Sequence, residues 1–236
     1  MQLGKPIDFS VMPSFRCNLT CWFCMYNCGP EVIQELDYSK TKTFLASVDW
    51  SMINAFGFYG GEPSISIPLY DQFIALVPQG INKFLITNGS WSTCLETTKV
   101  FLMWCAKHSF RVIVSSTPEH VKFQDRNFLK LLEKTFAGAI ELKAPDEIHA
   151  QGRAKGKPGI IKDCRGSCLR TDRNIRLGLK PDGNIVFQNC HGEYHVVQTY
   201  NEPFTGILDR TVGIRDACLR KERPCGTAWF SGGFGF

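Results

Sequence analysis

The sequence predicts an α/β protein. It reads as an open, partial (β/α) barrel of about five to six units, followed by a small C-terminal domain of β-hairpin and helix. Two observations carry this. Short apolar runs alternate with segments of helical spacing over residues 1–150, which implies right-handed βαβ units and a parallel sheet. Beyond residue 159, Pro181-Asp182-Gly183 separates two alternating runs, 176–180 and 184–187, as a hairpin turn does.

The elements follow in order. Residues 7–12 carry apolar side chains at 7, 9 and 11 and stop at Pro13, a first strand. Residues 39–52 read as a helix with Ser39 as its cap. Residues 56–59 are a second strand ending in a glycine turn, and 68–77 a helix opened by Pro68. The third strand is 84–87, and a helix follows at 92–107. Cys94 and Cys105 lie on that helix as small buried residues. Residues 111–117 form a fourth strand ending in hydroxyls. Residues 122–136 form a helix that buries Phe128, Leu129, Leu132 and Phe136, and 139–143 a short fifth strand. The basic, glycine-rich stretch 151–159 marks a boundary. It divides the chain into a barrel domain (1–150), a linker (151–159) and a second domain (160–236), with a short helix near Gly213.

Composition narrows the class. At 236 residues, 44% hydrophobic and 12% aromatic, the chain has the means for a substantial core and is not disordered. A net charge of +5 admits anionic partners such as nucleotides without requiring nucleic acid. The first residues, Met-Gln-Leu-Gly-Lys-Pro, contain no apolar segment of the secretory kind, and no run is long enough for a transmembrane helix. A cytoplasmic protein with all eleven cysteines reduced and no membrane partner is expected.

Cys17, Cys21 and Cys24 stand at C-x3-C-x2-C in the loop after the first strand. That is the strand end at which barrel enzymes place their active sites. Three thiolates occupy three irons of a [4Fe–4S] cluster and leave the fourth open to a small molecule, whereas an electron-transfer cluster is normally closed by a fourth. Zinc with Cys28 as fourth ligand and a disulfide are the alternatives. About one βα unit later stands Gly60-Gly61-Glu62-Pro63, which by itself is an ordinary turn.

The two motifs in this order resemble the radical S-adenosylmethionine (radical SAM) enzymes. The resemblance implies that Cys17, Cys21 and Cys24 hold the catalytic cluster and that Trp22 lies beside SAM. Gly60, Gly61, Glu62 and Pro63 would bind the SAM amino group, with Glu62 as acceptor. Thr87-Asn88-Gly89 matches a strand end common in the family, which brings Asn88 to the cofactor. Ser115 or Ser116 would contact the SAM carboxylate or ribose, and Arg153, in Gln151-Gly152-Arg153-Ala154, would lie near SAM. For Ser115, Ser116 and Arg153 a solvated strand end is an equal alternative.

In the second domain, Cys168, the hairpin and Cys190 resemble the Twitch and SPASM extensions of the same family. The resemblance implies an auxiliary [4Fe–4S] cluster completed by Cys218 and Cys225, with Cys164 competing with Cys168 for the first place. Gly183 and Cys190 stand further apart than the family pattern has them. With five cysteines in this half, the single-cluster Twitch form is the better match; a zinc-stapled hairpin is the alternative. Cys28 is either a loop cysteine or a hydrogen-atom donor, and residues 229–236 read as a flexible tail.

The activity implied is reductive cleavage of SAM to a 5′-deoxyadenosyl radical. That radical abstracts a hydrogen atom from a peptide or protein side chain or a small molecule, in a net oxidation or modification. A flavodoxin- or ferredoxin-type protein would be the electron donor. The competing reading is an iron–sulfur or zinc module for electron transfer or partner binding, without SAM chemistry.

Overall fold

The computed structural model describes residues 7–144, 152–155, 157, 174–188 and 195–219, with side chains up to 217. Cys164, Cys168, Cys190, Cys225, the Cys218 thiol and residues 229–236 lie outside the described residues, and so do the expectations placed on them.

Eight strands form one sheet: β1 (Ile7–Val11), β2 (Ile53–Phe58), β3 (Asn82–Thr87), β4 (Phe110–Ser115), β5 (Ile140–Lys143), β6 (Ile175–Leu179), β7 (Asn184–Phe187) and β8 (His195–Thr199). Their order is β5-β4-β3-β2-β1-β6-β7-β8. From β5 through β1 to β6 every pairing is parallel, and β6-β7-β8 is antiparallel. This is the partial barrel the alternation predicts, with one addition. The first strand of the hairpin docks on the free edge of β1, where Phe9 lies opposite Phe56 on one side and Leu177 on the other.

Alternation decides which side chains are buried. Ile7, Phe9 and Val11 of β1, Phe56 and Phe58 of β2, and Phe110, Val112 and Val114 of β4 all join one core. Helices α1 (Tyr38–Ala46), α2 (Ile67–Ile74) and α3 (Leu95–Lys107) complete it with Phe44, Tyr70, Phe73, Phe101 and Trp104. Phe9 stacks on Phe56 at 5.8 Å, and Phe58 meets Phe110 edge-on at 5.9 Å, arrangements that aromatic quadrupoles favour.

Several element boundaries differ from expectation. The first helix is capped by Asp37, whose carboxylate accepts from Lys40 N at 2.9 Å, and not by Ser39. It ends at Ala46, because Asp49 captures Ser51 N and opens a separate 3₁₀ turn, Trp50–Met52. The segment expected as one helix over 122–136 is two: α4 (Pro118–Val121), capped by Thr117, and α5 (Arg126–Thr135), capped by Asp125. Leu129 and Leu132 are core residues, while Phe136 is exposed. Cys105 is buried as expected, but Cys94 precedes α3 and is exposed. The last helix, α6 (Ile207–Leu219), begins before Gly213, and β8 was not anticipated. Among the described residues no helix is long and apolar enough to cross a membrane.

Candidate functional site

The site lies where β1 to β4 end. After β1 the chain turns through Ser14–Arg16 into the cysteine loop, and this lead-in runs across the glycine turn after β2. Gly61 N donates to Ser14 O at 2.8 Å and Glu62 N to Arg16 O at 2.9 Å. A Cβ on Gly61 would collide with the Arg16 carbonyl, so glycine is required there by the crossing of the two loops.

Glu62 is buried at 1% exposure. Its carboxylate accepts from Ser64 N at 3.0 Å, Thr87 Oγ1 at 2.6 Å and Asn88 N at 2.7 Å, and burial pushes its carboxyl above the ordinary range. Glu62 therefore ties the end of β2 to the end of β3. With three donors placed, an ionised carboxylate retains capacity for about one more. Pro63 is buried at the start of the 3₁₀ turn that Glu62 caps. Ser115, at the end of β4, is joined to Asn88 through Gln124, whose amide donates to Asn88 O at 2.6 Å and Ser115 O at 2.7 Å.

The three cysteines lie in this setting, each sulfur facing at least one nitrogen. Cys17 Sγ is 3.4 Å from Leu19 N and 3.8 Å from Asn88 Nδ2. Cys21 Sγ is 3.4 Å from His120 Nε2, and Cys24 Sγ 3.3 Å from Cys28 N. Burial pushes the Cys17 thiol up to about 12 and raises Cys21. Cys24 is lowered to about 6, chiefly by a hydrogen bond from the Cys28 thiol, and Cys28 is raised by the same contact and by burial. Of this pair, Cys28 keeps the proton. Its thiol also lies 3.0 Å from Gly60 O, an alternative acceptor for the same proton, and it is packed under the loop at 2% exposure with Met12 and Phe15.

Trp22 is 41% exposed at the lip of the loop, edge-on to Phe23 at 5.4 Å. Arg153 reaches the same loop from far along the chain: Nε donates to Cys21 O at 2.8 Å and Nη2 to Cys28 O at 2.7 Å. Its backbone N bonds Cys24 O at 3.0 Å. The preceding Gly152 has φ +51° and no room for a Cβ beside Cys24 O. The structure thus brings Cys17, Cys21, Cys24, Trp22, Gly60, Gly61, Glu62, Pro63, Asn88, Ser115 and Arg153 to one rim.

Sequence reasoning missed His120 and Gln124. Thr117-Pro118 announces a helix start, but a helix start does not disclose that the ring three residues on meets Cys21. Burial holds the His120 imidazole below its ordinary range.

The donor set fits a [4Fe–4S] cluster. Three thiols share one loop, and the N–H donors at the Cys17 and Cys24 sulfurs stabilise the charge a cluster's thiolates carry. Among the described residues no three His, Cys, Asp or Glu side chains are grouped to hold a single metal ion.

No protein-family model matches the chain, and no curated protein matches it in sequence. Its fold is similar to that of solved structures. One is BtrN in complex with AdoMet and 2-DOIA, with 17% identity, a TM-score of 0.64, and coverage of 94% of this chain and 91% of that one. Another is native anSMEcpe with bound AdoMet and Cp18Cys peptide, with 12% identity, a TM-score of 0.51, and coverage of 88% and 82%. At these identities the likeness establishes the fold: a mixed α/β, mostly parallel partial barrel.

Proposed function

We propose that this protein is a radical SAM enzyme. In this reading it cleaves S-adenosylmethionine reductively and uses the 5′-deoxyadenosyl radical to take a hydrogen atom from a substrate. The observation that carries the reading is the loop of Cys17, Cys21 and Cys24, with N–H donors at the Cys17 and Cys24 sulfurs, lying against the Gly60–Pro63 turn. Cys17, Cys21 and Cys24 would hold a [4Fe–4S] cluster there, which would supply the one electron that cleavage of the SAM C5′–S bond needs.

The chain's own residues do the rest. Gly60, Gly61 and Pro63 shape the turn for the SAM amino group, and Glu62 offers its remaining acceptor capacity. Asn88 polarises Cys17 and closes the rim. Trp22 covers one side of SAM, and Ser115 addresses its carboxylate or ribose. Arg153 acts by holding the cysteine loop in shape. Residues 160–236 form the auxiliary domain in this reading, with Cys168, Cys190, Cys218 and Cys225 around a second cluster and Cys164 as the competing first ligand. The substrate is a peptide or protein side chain or a small molecule. The two AdoMet-bound neighbours, one with 2-DOIA and one with a peptide, span that range. A flavodoxin- or ferredoxin-type donor supplies the electron.

The test is anaerobic reconstitution followed by dithionite and SAM. The protein should hold about eight irons and release 5′-deoxyadenosine and methionine. The variant with Cys17→Ala, Cys21→Ala and Cys24→Ala should hold about four irons and release neither. About one zinc per chain without labile sulfide would replace this reading with the zinc module.

A further inference from the structure

We infer that His120 donates a hydrogen bond from Nε2–H to the Cys21 thiolate and so sets the reduction potential of the cluster held there. The inference rests on the cluster reading above.

The tautomer is set by the sulfur, and Thr117 is placed to suit it. Its Oγ1 lies 3.4 Å from His120 N, a donor, and 3.0 Å from His120 Nδ1. The backbone N–H supplies its own proton to that bond, so the single hydroxyl proton of Thr117 is free for Nδ1. With Nδ1 accepting that proton, the ring's one proton sits on Nε2, 3.4 Å from Cys21 Sγ. The other side of the contact selects this assignment, since a metal-bound thiolate has only lone pairs to offer. Phe23 meets the imidazole edge-on at 5.6 Å and 87°. The ring is thus held by a threonine at one nitrogen and an aromatic on its side, and its remaining nitrogen is directed at a ligand sulfur.

The consequence is electrostatic. Reduction adds one negative charge to the cluster and its thiolates, so an N–H···S bond is stronger in the reduced state and raises the potential. His120 is a positioning residue in this sense: it acts through Cys21. Ring packing alone would be served by phenylalanine; the polar edge is what the sulfur uses.

The experiment compares the reconstituted protein with His120→Phe and His120→Gln by redox titration, following the reduced cluster by electron paramagnetic resonance. His120→Phe keeps the contact with Phe23 and deletes the donor. It should disfavour reduction about tenfold, the scale of one net hydrogen bond, which for one electron is a fall of about 59 mV. His120→Gln, whose amide nitrogen reaches about as far as Nε2, should recover most of the difference. An unchanged potential in cluster-loaded His120→Phe overturns the inference. Should that variant fail to retain the cluster, the unsubstituted protein labelled with ¹⁵N-histidine decides. A nitrogen hyperfine coupling on the reduced cluster that disappears in His120→Gln supports the bond, and its absence overturns it. An unsubstituted protein that assembles no cubane cluster overturns the underlying reading, and this one with it.

Discussion

The core behind the sheet and the small cluster beneath the cysteine loop are held together differently. The first is a continuous body of rings, Phe9, Phe44, Phe56, Phe58, Tyr70, Trp104 and Phe110 among them. It is stabilised by apolar area removed from water. The buried members of the second are Met12, Phe15 and Cys28, with Tyr26, Val32 and Tyr59 half-buried around them. There the chain is fixed by directional contacts: Arg153 on two carbonyls, Glu62 on three donors, and two loops bonded where they cross. Burial gives the barrel its stability, and polar bonds give the loop its shape. A site built this way opens locally at lower cost than the core does, and whatever binds it adds to its stability.

The largest test falls on the core. Phe56→Ala should cost about 3–5 kcal/mol in denaturant unfolding, since its ring contacts Phe9, Trp50 and Phe58. A loss below about 1 kcal/mol would mean that stability does not reside there. Arg153→Ala should act on the other region. Amide exchange over residues 17–29 should accelerate, with local protection reduced by about 1.5–3 kcal/mol for a charged donor on two carbonyls. The global midpoint should move far less than in Phe56→Ala; a global loss of the same size would merge the two regions. The smallest effect belongs to neither. Arg111 pairs with Glu141 across β4 and β5 on the solvent side. The Arg111 guanidinium holds the Glu141 carboxyl below its ordinary value. A depressed carboxyl stabilises the fold above its unfolded value of about 4.3, and that contribution is lost as pH falls through the folded value. Glu141→Gln should therefore cost less than about 1 kcal/mol near neutrality, and the gap should close in acid. A gap of unchanged size in acid would rule out the ion pair as its source.

What the sequence disclosed follows the same division. Strands 7–12, 56–59, 84–87, 111–117 and 139–143 were legible to within a few residues, because burial of alternate side chains writes a period into the chain. The cysteine triplet and the Gly-Gly-Glu-Pro turn were legible as motifs, and the structure brings them together. Contacts between residues far apart in sequence were not. Nothing local in His120 refers to Cys21, nothing in Gln124 to Asn88 and Ser115, and nothing in residues 175–179 says that they pair with β1. The helix caps failed for a narrower reason. Asp37 and Ser39 are both good caps, and the choice between them depends on where the chain leaves Leu36, which is buried in the core.

One pairing bears on how the molecule is made. β1 lies inside the sheet, yet its partner on one edge begins at Ile175. Until that segment has been synthesised and has docked, β1 presents an unpaired, apolar edge with the cysteine loop at its end. Any chain cut short of β6 keeps that edge open, and open edges recruit strands from other molecules. Contacts of such long sequence separation also form late in folding. Loss of the C-terminal third would thus be felt first as aggregation of the N-terminal two thirds, before any question of catalysis arises.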